Sequence, residues 1–130
     1  MELLTNGCCD PQQLSPLTLA FVGDAVFELM VRERLACEGS RPPSQLHKLS
    51  VVQVCCGAQA QATEKLVPVL TEEEAEVFRR GRNAHPGHVP KNADQKDYHL
   101  ATALEAVFGY LYLSGRQTRA LELFNIVCNP

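Results

Sequence analysis

The sequence predicts an all-α domain, and three observations support that prediction. Helix-start and helix-stop signals recur along the 130 residues, whereas no alternating apolar and polar run between hairpin turns indicates a β-strand. Hydrophobic residues make up 45% and charged residues 21% of the chain, which is typical of a folded globular domain. No apolar run reaches the roughly 18–20 residues that a membrane span needs, and residues 1–15 lack the pattern of a secretory signal. We therefore expect a single cytoplasmic domain over 1–130, with its core at about 14–128.

The first predicted helix begins at Pro16 and ends at about Cys37. Ser15 is a favourable N-cap residue, and proline suits the first helical position because its fixed backbone angle matches the helix. Gly39 supplies the stop signal. The segment Arg41–Pro43 then predicts a stiff link between the first helix and the next.

A second long helix is predicted from Gln45 into the 60s, with Ser44 as its cap. Its apolar stripe has spacings of three and four residues, at Leu46, Leu49, Val52 and Cys56. Thr71 and Glu74 then form the capping-box pattern, which predicts a third helix that ends at about Gly81 or Asn83.

The remaining chain predicts a loop and two more helices. Pro86, Gly87 and Pro90 indicate a loop over 84–94. A fourth helix is expected from about Gln95 to Leu113, where Ser114 and Gly115 stop it, and a last helix from roughly Gln117 to Val127.

The six cysteines do not indicate a disulfide framework. Cys8–Cys9 and Cys55–Cys56 are adjacent pairs, and neighbouring Cα atoms lie about 3.8 Å apart, below the ~4.4 Å lower limit of relaxed disulfides. No spacing resembles that of a structural zinc site. We interpret the thiols as reduced, with Cys37 and either Cys55 or Cys56 as small core residues.

Charge is unevenly distributed along the chain. The net charge is −3, yet residues 79–96 carry +4 and the remainder carries −7. The charged residues of this window are Arg79, Arg80, Arg82, Lys91, Lys96 and Asp94. A basic patch on an acidic body is compatible with binding a polyanion at one face, and the alternative is a solvated basic loop.

Two predicted helices carry isolated carboxylates among apolar residues. Between Leu19 and Val31 the only ionisable residues are Asp24 and Glu28, and apolar residues lie on every side, which predicts a buried helix. Glu105 is the only charged residue from Leu100 to Gly115 in the fourth helix. A carboxylate in an apolar core is costly unless it is paired or bound to a cation.

Two interpretations of these acids remain open from the residues alone. Small residues lie near both acids, at Ala20, Gly23, Ala101 and Gly109. If the two helices pack closely there, Asp24 and Glu105 meet, with Glu28 at the margin, and their oxygens suit Mg²⁺ or Mn²⁺. The alternative is a structural partner for the acids, namely a salt bridge or a hydrogen bond to one of Arg32, Arg34, Lys48 and Thr102.

The acidic segments resemble the two motifs of the ribonuclease III catalytic domain. Residues 21–26 (FVGDAV) resemble the end of its signature E-R-L-E-F-L-G-D-A/S, and residues 101–109 (ATALEAVFG) resemble A-D-x-x-E-A-x-x-G. Residues 19–28 follow L-A-Y-I-G-D-A-V-Y-E of the short bacterial form, Mini-ribonuclease III, nearly residue for residue. The basic stretch 80–84 and the P-K-N at 90–92 are similar to that form too. The long form has acids where Ala20 and Thr102 stand here, and the short form shares both losses.

The resemblance implies the ribonuclease III fold, a symmetric homodimer without a separate RNA-binding domain, and a metal-dependent endoribonuclease that acts on double-stranded RNA. Asp24 and Glu105 would be the catalytic residues and would hold Mg²⁺, with Mn²⁺ as a substitute. Attack of an activated water would leave 5′-phosphate and 3′-hydroxyl ends. The short form trims 23S ribosomal RNA precursor, and a ribosomal protein is a possible partner that presents the RNA.

The residues expected to contact RNA are basic or amide side chains of 79–96 and one lysine outside it. They are Lys48, Arg79, Arg80, Arg82, Asn83, Lys91 and Asn92. The alternative for Arg79 and Arg80 is pairing with glutamates of their own helix. The alternative function is a catalytically silent ribonuclease III-like domain that binds structured ribosomal RNA.

Overall fold

Six α-helices make up most of the part of the chain that the structure, a computed structural model, describes, which is residues 3–84 and 94–128. They are α1 (Pro16–Glu38), α2 (Pro43–Val54), α3 (Cys56–Leu66), α4 (Glu72–Arg82), α5 (Gln95–Leu113) and α6 (Gln117–Cys128), with 3-10 turns at Pro11–Gln13 and Val67–Val69. The described residues contain no strand, so the predicted all-α class is confirmed. None of these helices is both long and apolar enough to cross a membrane.

Helix α5 is the centre of the fold. It packs against α1, α3, α4 and α6, and its residues from Ala101 to Leu111 are buried except for half-buried Glu105. On α1, Phe27 meets the rings of Phe108 and Phe124 edge to face, with centroid distances of 5.3 and 5.6 Å. These aromatic contacts join α1, α5 and α6 into one core.

Most predicted helix boundaries are confirmed because local caps set them. Ser15 accepts a hydrogen bond from the Thr18 N–H at the start of α1, and Thr71 and Glu74 form the complete capping box of α4. Asp94 caps α5 through the Asp97 N–H, a cap that the sequence reading did not anticipate. Each of these oxygens satisfies a backbone donor that a helix start leaves unpaired.

The predicted single helix from Gln45 into the 60s is wrong, because the chain is extended at Cys55 (φ −69°, ψ 155°) and divides it into α2 and α3. Three valines precede the break and Gly57 follows it, and both residue types have low helix propensity. Ser44 is not the cap either, since α2 begins at Pro43. Of the predicted stripe, Val52 is exposed, and the Cys56 side chain lies outside what the structure describes.

Helix α1 is not buried on every side as predicted. One face contacts the core, while on the opposite face Phe21 is 80% exposed and Leu29 is 55% exposed. No other element of the described chain covers this apolar face. Cys37 and Cys55 are also exposed rather than in the core, because both lie at helix ends; the cysteines that the structure describes are free thiols.

Candidate active site

The two acids meet because α1 and α5 cross backbone to backbone. A Cβ atom added to Gly23 would overlap the carbonyl oxygen of Glu105, and one added to Gly109 would overlap the carbonyl oxygen of Leu19. Only glycine at both positions allows helices to approach this closely. The crossing places Asp24, the residue after Gly23, beside the Glu105 side chain.

Asp24 and Glu105 form a pair of adjacent carboxyl groups, in which an ionised Asp24 disfavours ionisation of Glu105. Burial, together with the charge of Asp24 and a hydrogen bond to it, raises the pKa of Glu105 to about 8. The Gln59 amide Nε2 donates to Glu105 Oε2 at 3.5 Å and partly opposes this rise by favouring the ionised carboxylate. Within the described residues, no basic side chain forms an ion pair with either acid.

The structural partners considered for these acids bond elsewhere. Arg32 pairs with Glu28 at 2.8 Å, and Arg34 donates to the Asn125 amide oxygen at 2.6 Å. The Thr102 hydroxyl donates to a backbone carbonyl of its own helix. Lys48 is exposed on α2. These contacts of Arg32, Arg34 and Thr102 involve neither of the two acids.

The pair lines an open cleft of about 420 Å³ between α1, α3 and α5. Ala20 and Thr102 line the same cleft, so the two positions where the long form carries acids lie beside the two acids that remain here. The described residues contain no group of three or more acidic, histidine or cysteine side chains placed to hold a metal. Two carboxylates in an open cleft nevertheless fit Mg²⁺, which usually binds one or two protein carboxylates and completes its shell with water and substrate phosphate.

The basic residues lie at the C-terminal end of α4 and beyond it. Arg79 donates two hydrogen bonds of 2.6 and 3.0 Å to Glu76. This is the alternative considered for Arg79 above, pairing with a glutamate of its own helix. Arg80 is half-buried, and Arg82 and Asn83 are exposed. Lys91 and Asn92 lie outside the described residues.

Helix α4 reaches α5 at Gly81, where an added Cβ would lie 3.0 Å from the Ala103 Cα. The turn that carries Arg80 and Arg82 therefore lies against the segment of α5 that includes Glu105. This contact places the basic end of α4 at the same level along α5 as Glu105.

Gln59 contacts an acid of the cleft, and sequence reasoning gave it no role. It is 2% exposed and lies on α3, which the sequence merged with α2. A glutamine among alanines and threonines carries no periodic or charge signal, so only the packing of α3 on α5 shows its contact with Glu105.

Comparisons with known proteins agree with this geometry. The family model described as Ribonuclease III domain matches residues 17–116. The Mini-ribonuclease 3 of Brevibacillus brevis is 49% identical over 114 residues, which cover 88% of this chain and 85% of that protein. The Mini-ribonuclease 3 of Symbiobacterium thermophilum is 46% identical, with 88% of each chain covered.

The fold comparison gives the same result. A crystal structure of a Fusobacterium nucleatum protein superposes with a TM-score of 0.84 at 30% identity, covering 94% of this chain and all of that one. The chain therefore belongs to the ribonuclease III family, and within that family to the Mini-ribonuclease 3 group.

Proposed function

We propose that this chain is a divalent-metal-dependent endoribonuclease that cleaves double-stranded RNA and leaves 5′-phosphate and 3′-hydroxyl ends. The observation that carries the proposal is the Asp24–Glu105 pair, two carboxylates in an open cleft without a basic partner among the described residues. The Mini-ribonuclease 3 relatives support this activity. We further propose that the substrate is 23S ribosomal RNA precursor in the cytoplasm, and that a ribosomal protein could present it.

Asp24 and Glu105 would hold Mg²⁺ or Mn²⁺, which when bound supplies a water of lowered pKa and a counter-charge for the scissile phosphate. The chain's own part is to fix the ligand geometry. The glycine crossing sets the distance between the acids, and Gln59 contacts one Glu105 oxygen. Without a cation, two carboxylates at the cleft would repel a phosphodiester.

Contacts to the RNA backbone are proposed for basic and amide side chains at the end of α4, on α2 and at two positions outside the described residues. They are Lys48, Arg79, Arg80, Arg82, Asn83, Lys91 and Asn92, the same residues that the sequence predicts. Arg79 stays in this set although it pairs with Glu76. An exposed ion pair contributes little free energy, so Arg79 can leave Glu76 to bind a phosphate. Phosphate and 2′-hydroxyl contacts of this kind are how double-stranded RNA is mainly recognised.

A symmetric homodimer is proposed from the uncovered face of α1. Leu17, Phe21 and Leu29 are exposed there, and large exposed apolar surfaces mark interaction sites. A second copy of the chain would cover this face and place a second acid pair along the same RNA duplex.

The test is cleavage of a long RNA duplex with Mg²⁺ by the wild type and by Asp24→Asn and Glu105→Gln. We expect the wild type to cut and both variants to lose cleavage with fold and oligomeric state intact. Binding of the duplex by a wild-type protein that does not cut would contradict the proposal and favour the catalytically silent RNA-binding domain.

A further inference from the structure

Four uncharged polar side chains are buried in the described part of the chain, and one of them behaves differently from the rest. Ser50, Thr63 and Thr102 each donate their hydroxyl to a backbone carbonyl three or four residues earlier in their own helix. Gln59 instead donates across the core to the Glu105 carboxylate. The amide of Gln59 thus contacts a side chain of another helix, Glu105 on α5.

Packing alone does not account for a glutamine at this position. Burying an amide costs about 1–3 kcal/mol unless it is hydrogen-bonded, whereas an apolar residue of similar length would fill the same space. The break at Cys55 sets the direction of α3, and the Gln59 N–H bonds the Cys55 carbonyl at 3.0 Å in the first turn. Helix α3 begins there and packs against α5, which places the Gln59 side chain within hydrogen-bond distance of Glu105.

The contact between Gln59 and Glu105 matters because few side chains of the cleft could bind a cation. Ala20 and Thr102 contribute no carboxylate to it, so a cation would depend on two acids. A glutamate side chain has three rotatable bonds, and a neighbour that fixes its orientation reduces the entropy lost when a cation binds. Partners that orient a ligand in this way are commonly worth 10–100-fold in metal affinity or activity.

We propose that Gln59 is a positioning residue of this site: its buried amide holds the Glu105 carboxylate beside Asp24, in the arrangement that would bind the divalent cation. This inference rests on the proposed function, since it assigns Gln59 a part in the same site. Its role would be exerted through the contact with Glu105.

The test measures Mn²⁺ binding without RNA, by electron paramagnetic resonance of free Mn²⁺, for the wild type and Gln59→Met. Methionine keeps the length and removes the donor, so we expect about tenfold weaker Mn²⁺ binding with little change in melting temperature. Duplex cleavage should show a lower kcat at limiting Mg²⁺, an unchanged KM for the duplex, and recovery of kcat at saturating Mg²⁺.

Thr63→Val is the matched control, because it removes a buried hydroxyl from the same helix that bonds only its own backbone. We expect it to bind Mn²⁺ and cleave as the wild type does. Equal Mn²⁺ binding by Gln59→Met and the wild type would overturn the positioning role. A wild type that binds Mn²⁺ but does not cut would contradict the nuclease proposal alone, and a wild type that binds no Mn²⁺ would contradict both proposals.

A second variant keeps the test decisive if methionine prevents folding. Gln59→Glu adds a third carboxylate at the pair, so we expect a lower melting temperature without a cation and a larger rise on adding Mn²⁺ than in the wild type. An equal or smaller rise would show that position 59 does not face the cation site.

Discussion

Two glutamates of this protein, one buried and one half-buried, have opposite surroundings. Glu74 on α4 is 2% exposed, and its carboxylate accepts two hydrogen bonds of 2.9 Å from Arg119 on α6 and one of 3.0 Å from the Thr71 N–H. Glu105 on α5 faces Asp24 instead of a cation. The two acids are similar in sequence terms, since each lies in a helix that packs on the core.

The pKa directions express this difference. Burial raises the pKa of Glu74, but the hydrogen bonds and charge of Arg119 and the bonds from Thr71 more than offset it and hold the pKa below its ordinary value. Burial and Asp24 raise the pKa of Glu105 to about 8. A buried acid that the chain neutralises serves the fold, whereas one that it leaves with a like-charged neighbour is a candidate for chemistry.

The largest effect is expected at Glu105, where a substitution should reduce cleavage without reducing stability. Glu105→Gln should slow duplex cleavage by about 10³-fold, because metal-ion catalysis is worth several kcal/mol. Without divalent cations its free energy of unfolding should be unchanged or higher, since the substitution removes a carboxyl group whose ionisation is disfavoured by burial and by Asp24. A cleavage rate within tenfold of the wild type, measured alongside urea unfolding, would contradict the comparison.

At Glu74 we expect the opposite, a loss of stability without a loss of cleavage. Arg119→Met leaves the buried Glu74 carboxylate without its cation, which should lower the free energy of unfolding by about 3 kcal/mol. Cleavage per folded molecule should be retained at low temperature. Arg32→Ala, which breaks the exposed pair with Glu28, is the control and should cost less than about 1 kcal/mol in urea unfolding.

A substitution at the crossing of α1 and α5 should lower both the free energy of unfolding and the cleavage rate. Gly23→Ala forces a Cβ against the Glu105 backbone, so we expect a loss of about 1–3 kcal/mol in unfolding free energy. Cleavage should fall as well because Asp24 moves away from Glu105. At Gly57 nothing lies within 4 Å of an added Cβ, so Gly57→Ala should keep full activity and equal or greater stability. Full activity of Gly23→Ala would show that the crossing does not set the site.

Stability should depend on pH in opposite directions for the two acids. The pKa of Glu74 is lowered from 4.5, so its stabilisation is present above that pH and is lost as the pH falls through the lowered value. The stability gap between the wild type and Glu74→Gln should therefore close in acid. In EDTA, the wild type should lose stability as the pH rises from 4.5 to about 8, because Glu105 ionises in the unfolded chain over that range but keeps its proton in the folded one. The free energy of unfolding of Glu105→Gln should therefore rise relative to that of the wild type over the same range. Urea unfolding of the wild type and both variants across pH measures these two differences in unfolding free energy. If either difference stayed constant across pH, the pKa direction assigned to that glutamate would be contradicted.

The smallest expected effect concerns the exposed arginines. Arg82→Ala should leave the unfolding free energy unchanged within about 0.5 kcal/mol and reduce the salt slope of duplex binding by about one. Binding titrations at several salt concentrations measure that slope. An unchanged slope would remove Arg82 from the RNA face.

The sequence by itself determined most helix ends, though not those at the break between α2 and α3, and the identity of the isolated acids. Ser15, Thr71 and Asp94 cap helices through bonds to residues three positions on, so the information is local. Asp24 and Glu105 stand out because few charges surround them, and the two motifs indicate the family that the comparisons confirm.

Only the tertiary structure decided which polar groups meet. Gln59 and Glu105 are 46 residues apart, and Glu74 and Arg119 are 45 apart, so no local spacing predicts either contact. The uncovered face of α1 also depends on packing, because an apolar residue has the same hydropathy whether the chain or a partner covers it. Local bonds define the helices, whereas the crossing at Gly23 and the direction of α3 define the site.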